Sequence, residues 1–161
     1  VPEAIADTSP LQYLHQVGCL ELLPTLYSTV FIPEGVAQEL NAGHEQGVPL
    51  PDLETLDWIR LRSAPSLQIL PQFIGLGRGE SEVLAMGSEA ASKILLLDDR
   101  LARQVARHLK LRFTGTLGVL LRAKKEGHLR QVSSILHRLQ EQGFWVDATT
   151  RSAVLRLANE I

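Results

Sequence analysis

The sequence predicts an α/β fold: a three-layer α/β/α arrangement around a central, mainly parallel sheet of about four or five strands, extended by helices at its C-terminal end. Two observations carry this expectation. Short apolar, often β-branched runs alternate with longer stretches of helical periodicity, the rhythm of βαβ units. The run Ile94-Leu95-Leu96-Leu97 has no polar alternation, as expected of a strand in a parallel sheet covered by helices on both faces.

Taken in order, EAIAD (3–7) is the first strand, followed by a helix through SPLQYLHQVGCLELL (9–23). Pro10 suits that helix's first turn, where its missing N–H is harmless. STVFIP (28–33) is β-branched and reads as a strand; PEGVAQELNAG (33–43) reads as a helix opened by Pro33 and closed by Gly43. The proline-bearing GVPLPDLETL (47–56) connects to a strand in DWIRLRS (57–63). After a loop come a helix in GRGESEVLAMGSEAAS (77–92), the buried strand KILLLD (93–98) and a helix in RLARQVARHLK (100–110). LRFTG (111–115) is the last short parallel strand. TLGVLLRAKKEG (116–127), LRQVSSILHRLQEQ (129–142) and TTRSAVLRLANEI (149–161) are helices, with FWVD (144–147) too short to assign. No internal repeat, low-complexity tract or linker divides the chain.

The 161 residues fall in the range of one domain. No segment approaches the roughly 20 apolar residues of a membrane span, so no membrane is expected. The lone cysteine, Cys19, excludes an intrachain disulfide and a cysteine-based zinc site, and suits a reducing cytoplasm. The N-terminus opens on a strand-like stretch, so no signal peptide is read there. A net charge of −2 and a pI near 6.2 argue against coating nucleic acid by bulk charge, but allow a basic rim around an acidic centre.

The buried run of KILLLDDR ends on Asp98 and Asp99. In open parallel sheets ligands bind at the C-terminal strand edge, so these carboxylates stand where chemistry is expected. Helix capping is the competing explanation, since Asp is a favoured N-cap and DDRLARQVARHLK is helical. Asp7 presents the same choice at the end of the first strand, in IADTSPL. Glu39 sits one step from the apolar stripe of Val36 and Leu40, and a solvated glutamate is its ordinary alternative. Glu80 is more informative. At about 100° per residue it shares a helix face with Val83, Leu84, Gly87 and Ala91, whereas Glu82 and Glu89 are expected on the opposite side. A carboxylate on an inward face is unfavourable unless paired, hydrogen-bonded or bound to a metal, although first helical turns favour acids anyway.

Topology connects these residues. Asp7, Asp98 and Asp99 are expected on one sheet edge, with Glu39 and Glu80 reaching it from their helices. Carboxylates that converge without matching bases repel one another, and a hard divalent cation with oxygen ligands is the natural neutraliser. Mg2+ or Mn2+ is therefore the implied cofactor, suited to activating water and stabilising the leaving oxygen of a phosphodiester.

Five segments, AIADTSPL, IPEGVAQEL, GLGRGESEVLAMG, ILLLDDRLAR and GTLGVLLRAKKEG, occur in the order seen in PIN domains. Over about residues 3–130 the chain resembles the PIN-like subfamily of nucleic-acid-binding proteins. The resemblance implies a single PIN-like domain over 1–161, with its core at about 3–130 and C-terminal helices at about 131–161. It implies a metal-dependent endoribonuclease that leaves 5′-phosphate and 3′-hydroxyl ends, and includes the toxins of type II toxin-antitoxin pairs. By the same resemblance Asp7, Glu39, Glu80 and Asp99 are the catalytic acids, and Asp7, Asp99, Asp98 and Glu80 the metal ligands. Glu80 departs from the aspartate more common in the family, which lengthens its arm by one methylene. Alignment on the Asp-Arg pair and Arg103 favours Asp99, whereas counting from Glu80 favours Asp98. Thr8, Ser9 and Thr116 are expected to position water or phosphate. RNA is the implied substrate, and an antitoxin protein and a second copy of the chain are candidate partners.

Arg78, Arg100, Arg103, Lys124 and Lys125 are the basic residues best placed by sequence to hold RNA phosphates, with a solvated helix face as the ordinary alternative for each. Two Trp and two Tyr without basic interleaving give no stacking platform for single strands. His15, His44, His108, His128 and His137 show no metal-ligand spacing, and His44 and His128 are expected in turns. A phosphotransfer fold with an aspartate nucleophile needs a second Asp two residues on, or a Lys at a later strand end; DTSPL and LRFTG offer neither. The alternative retained is a catalytically weak PIN-like module that binds nucleic acid or protein and acts through a partner. The apolar face of LQYLHQVGCLELL offers a dimer surface, although such faces usually turn to the core.

Overall fold

The first strand, β1 (Ala4–Ala6), occupies the middle of a five-stranded sheet. Its neighbours are β2 (Val30–Pro33) and β4 (Ile94–Leu96), and β3 (Ile59–Arg62) and β5 (Phe113–Thr114) form the edges, giving the order β3-β2-β1-β4-β5. The structure, a computed structural model, describes residues 1–65 and 75–161. The loop expected ahead of GRGESEV lies partly outside them. Among the described residues every strand pair is parallel, in keeping with the mainly parallel sheet of the sequence reading.

Among the described residues there are eight α-helices: α1 (Thr8–Gln16), α2 (Leu22–Leu26), α3 (Glu34–Glu45), α4 (Arg78–Glu89), α5 (Arg100–His108), α6 (Thr116–Lys125), α7 (Val132–Glu141) and α8 (Ala148–Leu157). A short 3-10 turn covers Leu53–Thr55. From β1 the chain steps outward to β2 and β3, then returns across the sheet to β4 and β5. Right-handed crossovers made in opposite directions put their helices on opposite faces. The reversal also opens a crevice between the C-terminal ends of β1 and β4, the usual ligand position in such sheets.

Burial fixes the strands in register. Ile5, Leu95, Leu96 and Leu97 are fully or almost fully buried, each stabilising the fold by about 1.5–3 kcal/mol relative to exposure. Ala4, Ile5 and Ala6 lie opposite Ile94, Leu95 and Leu96. A one-residue slip of β4 would carry an aspartate into this apolar layer, so the pairing is strongly specified.

Two differences from the sequence reading change the helices. The single helix expected over residues 9–23 divides at Gly18, whose φ of +72° suits glycine; its N–H bonds His15 O, and α2 begins anew at Leu22. Helix α3 continues past Gly43 to Glu45, and glycine suits that position because Leu50 packs 2.5 Å from where a β-carbon would stand. The chain turns instead at Gly47, φ +82°, so His44 lies in the last turn of α3 rather than in a turn of its own.

The apolar face of α1 and α2 is not free. Leu11, Leu14, Leu20, Leu23 and Leu26 are all buried in the core. Val132, Leu136, Leu139, Val154 and Ala158 join the same core, so α7 and α8 are packed layers. Glu160 secures them: its carboxylate accepts from Val132 N at 2.7 Å, Ser133 N at 2.8 Å and Lys124 Nζ at 2.9 Å, satisfying free donors at the start of α7.

Candidate active site

Asp7 leaves β1 at the central crevice, where its N–H donates to Leu96 O at 3.1 Å. Asp98 follows β4 by two residues, so both acids emerge from adjacent parallel strands at one edge. Asp7 is only 5% exposed. It occupies the N-cap position of α1, yet its side chain makes no capping hydrogen bond, so capping does not account for it. Burial pushes its carboxyl up to about 7. The Thr8 backbone N–H opposes that shift, while Glu80, Glu39 and Asp98 add to it. The charges that act on Asp7 most are all acidic.

The paired aspartates divide the two explanations between them. Asp99 caps α5, its Oδ2 accepting from Ala102 N at 2.9 Å. Asp98 instead crosses to α6: Thr116 donates to it from both N and Oγ1 at 2.7 Å, and Ser9 Oγ donates at 2.9 Å. Thr116 is fully buried. A β-carbon on Gly115 would lie 2.7 Å from Asp98 Oδ1 and 3.2 Å from Leu97 O, so glycine there lets α6 start against the carboxylate.

Glu39 and Glu80 approach from α3 and α4. Thr8 Oγ1 donates to Glu39 Oε2 at 2.6 Å, and Glu39 Oε1 lies 2.7 Å from where a β-carbon on Gly79 would stand. Burial raises the Glu80 pKa, with Asp99 and Glu39 adding to it, against the Gly77 N–H that donates to Glu80 Oε2 at 3.4 Å. All five acids therefore belong to one edge, and Thr8, Ser9 and Thr116 orient two of them.

Among the described residues, no three Asp, Glu, His or Cys side chains close on a common point. The reason is local: Glu39, Asp98 and Asp99 are each turned toward the hydroxyl or amide donors just described. The donor chemistry nonetheless fits a hard divalent cation, being wholly oxygen and anionic, with like charges acting on a buried aspartate.

Glu82 is where the sequence reading fails. Expected on the outer side of α4, it is 8% exposed, accepts from Gly35 N at 2.7 Å and pairs with Arg78 Nε at 3.0 Å. Helix α4 packs on β1, β2 and β4 and is flanked by α3 and α5, so most of its circumference is covered and a one-face reading does not hold. The available signal was the i,i+4 spacing of Arg78 and Glu82. This junction couples the starts of α3 and α4, the helices that carry Glu39 and Glu80.

The basic residues separate by position. Arg78 is held by Glu82 and by Gln38. Lys124 is held by Glu160 and the Ala158 carbonyl. Lys124 and Lys125 lie about 12 Å along α6 from Thr116, at the end away from the acids. Arg100 and Arg103 follow Asp99 directly on α5. A cavity of about 650 Å³ lined by Leu121, Lys125 and Leu157 lies between α6 and the end of α8 and contains none of the acids.

In comparison with known proteins, the family described as PIN domain matches residues 3–160. A search of curated proteins gave no match. The PIN domain is a nuclease-type fold whose members generally use divalent metals. Among the described residues, no helix is long and apolar enough to cross a membrane.

Proposed function

The chain belongs to the PIN-domain family, and from that premise we propose that it is a Mg2+- or Mn2+-dependent endoribonuclease. The observation that carries the reading is Asp7: a buried carboxylate at the strand crossover, its pKa raised first by burial and then by the nearby acids Glu80, Glu39 and Asp98. Asp7, Asp98, Asp99 and Glu80 are the residues that would hold the metal. A divalent ion there supplies Lewis acidity and lowers the pKa of water.

The chain's own groups set the rest of the reaction. Glu39, oriented by Thr8, takes a proton from the attacking water. The water oxygen forms a bond to phosphorus in line as the bond from phosphorus to the 3′ oxygen breaks, and that oxygen takes a proton from solvent water and leaves as a 3′ hydroxyl. Thr116 and Ser9 keep Asp98 in one orientation, which favours a preorganised site. A role as the toxin of a type II pair, with a small antitoxin protein as partner, rests on the family likeness alone; co-expression with a neighbouring small open reading frame tests it.

End-group analysis of the products tests the chemistry. This route gives 5′-phosphate and 3′-hydroxyl ends. A 2′,3′-cyclic phosphate would instead show that the ribose hydroxyl is the nucleophile, and the proposed role of Glu39 would be wrong.

A further inference from the structure

We propose that one face of α5, from Arg100 through Arg103 to Arg107, carries the phosphates of the bound RNA strand away from the acids. The inference rests on the nuclease reading and adds to it a track for the substrate. Positions 100, 103 and 107 fall on one helical stripe, which begins beside Asp99 and runs about 10 Å along the helix. The opposite side of α5, with Ala102, Val105 and Ala106, is buried.

Phe113 on the edge strand β5 organises this stripe. The guanidinium carbon of Arg103 lies 5.2 Å from its ring centroid and that of Arg107 lies 5.3 Å away. Stacking on a ring holds a guanidinium in place while leaving edge N–H groups to donate to an anion. Arg103 also reaches the seat of Asp98: its Nη1 is 3.9 Å from the β-carbon position of Gly115, beside which Asp98 Oδ1 lies. Its buried Nε has no acceptor among the described residues.

Several other basic residues also lack an ion pair among the described residues; what sets the stripe apart is two guanidiniums on one ring with no carboxylate partner, unlike Phe31, where Lys93 is paired with Glu3. Arg78, Lys93, Arg122 and Lys124 are each paired with a carboxylate. Among the described residues Arg100, Arg103 and Arg107 have no such pair. Two cations drawn to one aromatic ring repel each other, and an anion bridging them relieves that repulsion. A row of like charges favours a polyanion read through its phosphates, without base specificity.

The test is binding of a fluorescent single-stranded oligouridine in the Asp7→Asn background with Mg2+, across a range of salt concentrations. Removing one phosphate contact reduces the slope of log K against log[salt] by about 0.7 for a single strand. Arg103→Gln and Arg107→Gln are each expected to show that reduction and to weaken binding several-fold at 0.1 M salt. Arg151→Gln on α8, whose arginine bonds Gln140, is expected to match its parent, and thermal melts confirm that each variant folds. The proposal is overturned if the α5 variants keep the parent slope, if Arg151→Gln lowers it equally, or if no oligouridine binds. A wild-type protein that binds RNA but cuts none with Mn2+ would overturn the nuclease reading while leaving the slope comparison intact.

Discussion

The Glu39 carboxylate fills the space that a β-carbon on Gly79 would need, with Oε1 2.7 Å from that position. Helices α3 and α4 therefore meet through an acid seated against a glycine. Gly79→Ala must move the end of the Glu39 side chain and press on the buried Val36, whose Cγ2 is 3.2 Å from the same position; against this stands a gain in helix propensity of at most about 0.5–1 kcal/mol. Stability is expected to stay within about 1 kcal/mol of wild type, while RNA cleavage falls at least roughly tenfold because the acid is displaced. Urea unfolding and an initial-rate assay on the same preparation check this; unchanged cleavage would remove Glu39 from the reaction.

Asp98 and Asp99 are separable by substitution. Asparagine caps helices as well as aspartate does, so Asp99→Asn should leave stability within a few tenths of a kcal/mol, and any loss of cleavage then reports a metal role. Asp98→Ala strands the buried Thr116 N–H and hydroxyl, now bonded at 2.7 Å, and should cost about 1–3 kcal/mol. If denaturation shows Asp98→Ala as stable as Asp99→Asn, the bridge to α6 contributes no net stability.

Asp7 gives the metal-free protein an inverted pH dependence. Its carboxyl is pushed from 3.8 to about 7 on folding, so the native state binds more protons between those values and stability falls as pH rises through them. The contribution is fully present below pH 3.8 and lost above about 7, a change on the order of 4 kcal/mol. In EDTA, Asp7→Asn should be more stable than wild type at pH 8 and no more stable near pH 4. Added Mn2+ should stabilise wild type more than the variant at pH 8. Parallel stability curves for the two proteins would contradict the raised pKa.

Glu160 behaves in the opposite sense. Although burial opposes it, the Val132 N–H, Lys124 ammonium and Ser133 N–H hold its pKa down to about 2. Its stabilisation is present above its ordinary value of 4.5 and is lost as pH falls through about 2. Glu160→Gln should lower stability by about 1–3 kcal/mol at pH 7 and flatten acid unfolding between pH 4 and about 2. An unaltered acid limb would show that the α7 cap contributes nothing there.

The central sheet was legible because its signals are local and strong. Ile94 to Leu97 is apolar without alternation, and it became the buried fourth strand ending on the two acids. The placing of Asp7, Asp98 and Asp99 at one edge followed from strand direction, whereas Glu39 and Glu80 approach from helices that strand direction does not fix. Capping by Asp99 and the bridge from Asp98 to Thr116 were not separable in sequence, because that bond spans 18 residues and depends on where β5 ends. Glu82 was misread because periodicity describes a helix with one buried face, whereas α4 meets the sheet, α3 and α5. The division at Gly18 was missed because the leucines on both sides of it keep apolar spacing and all reach the same core. A glycine's φ is set by its surroundings, so Gly18 ends a helix while Gly43 stays inside one.

The most direct measurement is the loss of mixed structured and single-stranded RNAs over time, with Mn2+ or Mg2+, with EDTA, and with Asp7→Asn. The acid edge as a metal-dependent nuclease requires cleavage by wild type with metal, and its disappearance both in EDTA and in Asp7→Asn. Cleavage that persists in EDTA or in Asp7→Asn would contradict it, as would an inert wild-type protein that still binds metal.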